Sequence, residues 1–287
     1  MAEPGARSGL LDPRTIRTLA AELDLRPSKQ RGQNFVIDAN TVRRIVALSG
    51  VRPGEVVLEV GPGLGSLTLG LLEAGAHVIA VEIESSLATR LARTVSERLP
   101  DAADRLTVVE ADALRITELD PLPTRVVANL PYNISVPVIL HLLATFPSIT
   151  AGLVMVQLEV ADRLVAPPGS KVYGTPSAKL AWYASASRVG TVPPSVFWPV
   201  PNVESGLVAF TRREPPATVD RRRVFDVVDA AFGQRRKMLR SALSGVFGSS
   251  TAASEALEAA GIDPTLRGET LTIEQFASIV PYLPAGV

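Results

Sequence analysis

The sequence predicts an open α/β fold followed by a small all-helical domain, and three patterns carry that expectation. Between residues 56 and 157, short β-branched runs bounded by turn residues alternate with amphipathic helical stretches. Two more strand-like runs follow with no long helix between them, and beyond residue 220 the periodicity is helical only. The 287 residues are 46% hydrophobic and 20% charged, the mix of a folded globular chain rather than a disordered or fibrous one. The length suits one large domain with a small companion.

Residues 1–12 are rich in Gly, Ala and Ser without periodicity and are read as a disordered N-terminus. A short helix is expected over 13–23. After the basic stretch 28–35, Asp38 caps a helix whose apolar face is Val42, Ile45, Val46 and Leu48 and which Gly50 stops. Strand-like runs then fall at 56–61, 78–82, 106–110, 126–129 and 153–157, with helices over 66–73, 85–98 and 135–145. This order predicts a parallel sheet with helices on both faces. The runs at 187–192 and 206–210 are read as an antiparallel pair that closes the sheet. The expected domains are thus 13–212, a linker at 213–220 containing Pro215 and Pro216, and a helical domain at 221–287. Helices in that last domain are expected at 221–232, 237–247, 252–260 and 273–282.

Composition excludes several chemistries. There is no cysteine, so a disulfide framework, a thiolate metal site and a cysteine nucleophile are ruled out. His77 and His141 are too few for a histidine-built metal centre, and neither sits in a Ser-His-Asp context, so no metal is expected. Lysine plus arginine and aspartate plus glutamate are both 29, which excludes a uniformly basic nucleic-acid binder but not a local basic patch. Only Lys29, Lys171, Lys179 and Lys237 are lysines; the other cations are arginines, which grip phosphate bidentately. No run of 18 apolar residues occurs, and the first dozen residues lack the features of a signal peptide, so a cytoplasmic protein is expected.

Candidate chemistry falls at the carboxyl ends of the expected strands, where open α/β sheets bind ligands. Glu59-Val60-Gly61-Pro62-Gly63-Leu64-Gly65-Ser66 follows the first strand, its glycines allowing close approach of a ligand to the backbone. Ser66 stands where a dinucleotide fingerprint wants its third glycine, and the Gly-Lys-Ser/Thr of a P-loop is absent. Glu82, 21 residues after Gly61, ends the second strand and is placed to accept hydrogen bonds from both hydroxyls of a ribose. Asp112, after the third, is placed to bond the amino group of an adenine. Together these residues fit a nucleoside without a pyrophosphate and favour S-adenosyl-L-methionine over NAD.

Asn129-Leu130-Pro131-Tyr132 ends the fourth strand. The exocyclic amine of adenine is a poor nucleophile because its lone pair is delocalised into the ring. Two acceptors on its N–H groups, the Asn129 side-chain oxygen and the Leu130 carbonyl, can aim that nitrogen at a methyl donor. Pro131 fixes the turn, and Tyr132 offers a face on which an extruded base can stack.

With these motifs in order, the chain resembles the KsgA family, the ribosomal RNA adenine N6-dimethyltransferases. The likeness runs through 33–35, 59–63, 81–82, 112–113 and 129–135, continues through 157–164, 168–174 and 196–205, and reaches 232–239. It implies a Rossmann-like methyltransferase fold with a mostly parallel seven-stranded sheet and a small all-α C-terminal domain. The implied activity is methyl transfer from S-adenosyl-L-methionine to two adjacent adenosines in a hairpin loop near the 3′ end of small-subunit ribosomal RNA, coupled to small-subunit maturation. By this resemblance Asn34 and Val36 border the cofactor, Gly61 and Gly63 line its methionine end, and Asn129 stands between cofactor and target amine. Phe197 stacks on the target base opposite Tyr132. Leu130, the Phe197 segment and residues 232–239 favour this group over relatives that modify large-subunit RNA. The sequence departs from the family at Val36, where leucine is common, and at Thr175-Pro176, where Arg-Leu is usual.

Residues 212–240 hold nine basic side chains against four acidic ones. Arg221, Arg222, Arg223, Arg235, Arg236, Lys237 and Arg240 are therefore the expected phosphate contacts, with Arg26, Lys29 and Arg31 as further candidates. Nothing in the sequence demands more than a monomer, and the expected partner is the small-subunit precursor and its RNA.

Overall fold

The computed structural model describes residues 9–25 and 34–284. In chain order its elements are α1 (Pro13–Glu22), β1 (Phe35–Val36), α2 (Ala39–Ser49), β2 (Val56–Val60), α3 (Ser66–Glu73), β3 (His77–Glu82), α4 (Ser85–Arg98), β4 (Leu106–Glu110), β5 (Arg125–Asn129), α5 (Ser135–Thr145) and β6 (Ala151–Gln157). There follow α6 (Leu158–Leu164), α7 (Thr175–Tyr183), β7 (Ala184–Val192), β8 (Phe197–Trp198) and β9 (Ser205–Arg212). The helices α8 (Arg221–Gly233), α9 (Leu239–Ala242), α10 (Ser244–Phe247), α11 (Ser250–Ala259) and α12 (Ile273–Ile279) complete the chain.

Seven strands form one sheet in the order β4-β3-β2-β5-β6-β9-β7. The inner pairings from β4 to β6 are parallel, with Val60 opposite Val81 and Asn129 opposite Met155. β9 runs antiparallel to β6, Ser205 facing Gln157. The α/β fold and its mostly parallel seven-stranded sheet thus stand as the sequence predicts. β2 lies between β3 and β5, so the strand order reverses beside it. The loops leaving β2 and β5 therefore open a crevice at the carboxyl end of the sheet.

The chain divides into two compact units, Met1–Ala161 with Ser187–Thr211, and Asp162–Ala186 with Arg212–Val287. The first holds a continuous apolar core that includes Leu11, Ile16, Leu64, Leu71, Leu91 and Phe197. Leu10 and Leu11 belong to it, at 5% and 2% exposure, and Gly9 N donates to Glu73 Oε1 at 2.8 Å. The frayed N-terminus expected through residue 12 therefore does not extend to residues 9–12, because two leucines are buried there and Asp12 caps α1; residues 1–8 lie outside the described residues.

The second unit differs from the expected cut near 213 by taking in residues 162–186. Aromatic packing explains the grouping. Tyr173 meets Phe232 edge-on at 5.7 Å, Trp182 and Tyr183 meet Phe225 at 6.4 and 6.0 Å, and the Tyr173 hydroxyl donates to Leu271 O at 2.9 Å. The helix expected at 237–247 is instead α9 and α10. Leu239 N and Arg240 N bond to Leu266 O and Pro264 O, which ties the start of the segment to a neighbouring loop.

Candidate active site

The crevice beside β2 is a cavity of about 410 Å³ within the first unit, of a size that holds a small molecule. Gly61, Gly63, Glu82, Asn129 and Pro131 line it from the strand ends, and Asn34 and Val36 line it from the N-terminal side. Gly63 has φ +57°, and a Cβ there would come within 2.7 Å of the Phe35 ring, so only glycine allows this turn to close under β1.

The N-terminal segment is fastened over the cavity by backbone and side-chain bonds. β1 pairs antiparallel with β8, Val36 facing Phe197 and Phe35 facing Trp198. Ser66 Oγ donates to Val36 O at 2.7 Å, so the serine at the third-glycine position serves as a clasp. Asn129 Nδ2 donates to Asn34 O at 3.0 Å. A carbonyl can only accept, which fixes the flip of the Asn129 amide and leaves its Oδ1 as an acceptor on a residue that lines the cavity. Leu130 N donates to Met155 O at 3.0 Å, pinning the next peptide, and the Leu130 side chain is buried. The half-buried Tyr132 shares a 3.0 Å hydrogen bond between its hydroxyl and Ser205 Oγ.

The cavity is acidic. Glu59, Glu82 and Glu84 line it, and among the described residues none of its lining is Lys, Arg or His. Glu82 Oε2 accepts from Gly63 N at 3.2 Å and Oε1 from Glu84 N at 3.1 Å, so each oxygen keeps a lone pair for a ligand hydroxyl. Burial pushes the Glu82 carboxyl up despite these bonds. Glu59 is wholly buried, accepts from Thr68 Oγ1 at 2.6 Å, and is pushed up to about 8 by desolvation with a further contribution from Glu82. Among the described residues a pyrophosphate finds no counter-charge here. A sulfonium and an ammonium find three carboxyls, and a ribose finds the paired oxygens of Glu82, so the residues present fit S-adenosyl-L-methionine.

Not every expected residue reaches this site. Asp112 is absent from the cavity lining; its Oδ1 accepts from Leu114 N at 2.9 Å and its Oδ2 lies 3.5 Å from Arg115 Nε. Phe197 is 0% exposed within the core, so the expected stacking on a base is not available to it in this conformation. Its ring is a core anchor behind Val36, because the short β1–β8 pairing turns it inward. Sequence reasoning gave no role to Glu59, Thr68 or Ser205, and read Ser66 only as a departure from the dinucleotide fingerprint. A carboxylate inside a strand buried on both faces, as Glu59 is, was the available signal.

In the second unit, three of the expected phosphate contacts are instead engaged within the protein. Arg221 bonds the Tyr183 hydroxyl and packs over the Phe225 ring, while Arg223 Nη2 donates to Pro284 O at 3.1 Å. Arg235 bonds Glu269 at 2.9 Å and the carbonyls of Tyr173 and Lys171 at 2.6 and 2.7 Å, which ties 171–173 to the end of α8. Arg222, Arg236, Lys237 and Arg240 are exposed. Arg26, Lys29 and Arg31 lie outside the described residues.

Fold and cavity together define a methyltransferase of the S-adenosyl-L-methionine-dependent class. A family model described as ribosomal RNA adenine dimethylase matches residues 25–284. A ribosomal RNA small subunit methyltransferase A from Cutibacterium acnes is 62% identical over 285 residues, covering 97% of this chain and 96% of that protein. Its counterpart from Streptomyces avermitilis is 60% identical over 282 residues, covering 97% and 95%. Among solved structures, a dimethyladenosine transferase from Plasmodium falciparum shares the fold with a TM-score of 0.72 at 22% identity, over 84% of this chain and 94% of that one. The 23S rRNA methyltransferase ErmE gives a TM-score of 0.63 at 27% identity, over 87% and 99%. The chain belongs to the ribosomal RNA adenine dimethylase family, and it is an rRNA adenine dimethyltransferase that uses S-adenosyl-L-methionine.

Proposed function

We propose that this protein dimethylates N6 of two adjacent adenosines in the 3′-terminal hairpin loop of small-subunit (16S) ribosomal RNA, acting as a cytoplasmic monomer on the small-subunit precursor during its maturation. The observation that carries the chemistry is the fixed Asn129 amide beside an acidic cavity. The choice of subunit is supported by identities of 60–62% to small-subunit enzymes against 27% to ErmE.

When bound, S-adenosyl-L-methionine supplies an electrophilic sulfonium methyl. Glu82 accepts from the ribose hydroxyls, Gly61 and Gly63 leave room for the methionine end, and Asn34 and Val36 close the cavity from the N-terminal side. Asn129 Oδ1 and the Leu130 carbonyl accept the N–H groups of the adenine amine and aim its nitrogen at the methyl, so alignment rather than a nucleophilic residue lowers the barrier. Pro131 holds the turn, and Tyr132 stacks on the extruded base. Arg222, Arg236, Lys237 and Arg240 contact RNA phosphates, giving affinity that falls with salt.

The test is incubation with labelled S-adenosyl-L-methionine and, separately, unmethylated small and large ribosomal subunits, followed by nucleoside mass spectrometry. N6,N6-dimethyladenosine at adjacent positions of small-subunit RNA is expected. Label confined to large-subunit RNA overturns the subunit assignment.

A further inference from the structure

Ser205 is 0% exposed and opens β9, whose antiparallel pairing with β6 brings its first residue to the sheet end where Asn129 emerges. The backbone around it has no slack. Glu204 O accepts from Leu158 N at 2.9 Å, and at Gly206 even a Cβ would lie 2.5 Å from Ala161 Cβ. A serine hydroxyl on so rigid a strand is a fixed point. Its partner is the Tyr132 hydroxyl at 3.0 Å, at the far end of the ring, while the Tyr132 backbone carbonyl accepts from Ser135 Oγ at 3.4 Å.

We propose that Ser205 is a positioning residue for the target base: through its bond to the Tyr132 hydroxyl it locks the tyrosine ring in the orientation that receives the extruded adenine. The inference rests on the reading of Tyr132 as the stacking face. An untied ring rotates about two torsions, and base capture then has to order it first. With the bond in place the ring is preorganised before RNA arrives. Cofactor binding does not involve this pair, since neither residue lines the acidic cavity.

Ser205→Ala and Tyr132→Phe delete the same bond from its two ends, and both keep an aromatic face at 132. Each is expected to raise KM for unmethylated small subunits by about three- to tenfold with S-adenosyl-L-methionine affinity unchanged, and in Ser205→Ala kcat at saturating subunits stays within about twofold. The double variant is expected to be no worse than either single one. Additive losses, or an unchanged KM in both single variants, overturn the proposal. Tyr132→Ala separates the two layers. If it is defective while Ser205→Ala and Tyr132→Phe match the parent, the tie fails and the stacking reading stands; if Tyr132→Ala also matches the parent, the stacking reading fails with it. Should Ser205→Ala not fold, the KM of Tyr132→Phe decides alone.

Discussion

The cofactor cavity of the first unit and the basic surface of the second use charge in opposite ways. Among the described residues the cavity gathers three carboxyls and no cation in a half-enclosed, partly desolvated space, where a charge acts strongly on a bound ligand. The surface offers Arg222, Arg236, Lys237 and Arg240 to solvent, where each cation is screened and contributes little alone. On the proposed reading, recognition of the small molecule rests on a few buried groups, and recognition of the polyanion on many exposed ones. The consequences of single substitutions should differ accordingly.

The largest effect is expected at the turn after β5. Asn129→Ala should lower kcat by on the order of 100-fold or more by releasing the target amine from its alignment, with S-adenosyl-L-methionine affinity nearly unchanged. Single-turnover methylation of small subunits, beside calorimetric titration of the cofactor, checks both halves. Unchanged turnover would remove Asn129 from the mechanism.

Glu82→Ala comes next. Losing charge-assisted bonds to a ribose costs about 1.5–3 kcal/mol, or roughly ten- to a hundredfold in cofactor affinity. Parental affinity in that variant would contradict the ribose assignment.

Glu59 gives a subtler, pH-linked effect. Its folded value of about 8 lies above its ordinary 4.5, so its contribution to the stability of the ligand-free protein is full below about pH 4.5 and is lost as pH rises through about 8. A bound cation favours the ionised form and pulls that value down. Cofactor binding near neutral pH should therefore release a proton and tighten as the pH rises towards 8. Calorimetry in buffers of different ionisation enthalpy measures this release, and Glu59→Gln should abolish it. Release of the same size in that variant would place the titrating group elsewhere.

The smallest effects fall on the basic surface. Arg236→Ala, Lys237→Ala or Arg240→Ala should each weaken subunit binding a few-fold and reduce the slope of log affinity against log salt by about 1. Arg235→Ala should instead lower the melting temperature, because its guanidinium joins α8 to residues 171–173 and to Glu269. A variant at 235 that melts normally and loses salt slope would return that arginine to the RNA surface.

Much of this arrangement is legible in the chain because its signals are local. A valine-rich run of five residues followed by Gly61 marks β2 and the turn after it, and Glu82 and Asn129 end their strands where the apolar runs stop. Gly50 and Gly61 occupy left-handed positions that the sequence marks by residue type. Segment 237–247 misleads for the same reason: its apolar spacing is helical, yet backbone bonds from Leu239 and Arg240 to Leu266 and Pro264 hold its start, and the helix forms as two short pieces, α9 and α10.

The sequence by itself determined the order of strands and helices, the glycine-rich turn, the acidic strand end and the Asn-Leu-Pro-Tyr turn, since periodicity and turn chemistry act over a few residues. Only the tertiary structure decided which arginines remain free, that Phe197 points into the core, that residues 162–186 pack with the C-terminal helices, and that Ser205 reaches Tyr132 across 73 residues of chain. Each of those outcomes depends on long-range packing that brings distant segments together, and the residue types alone leave several partners equally available.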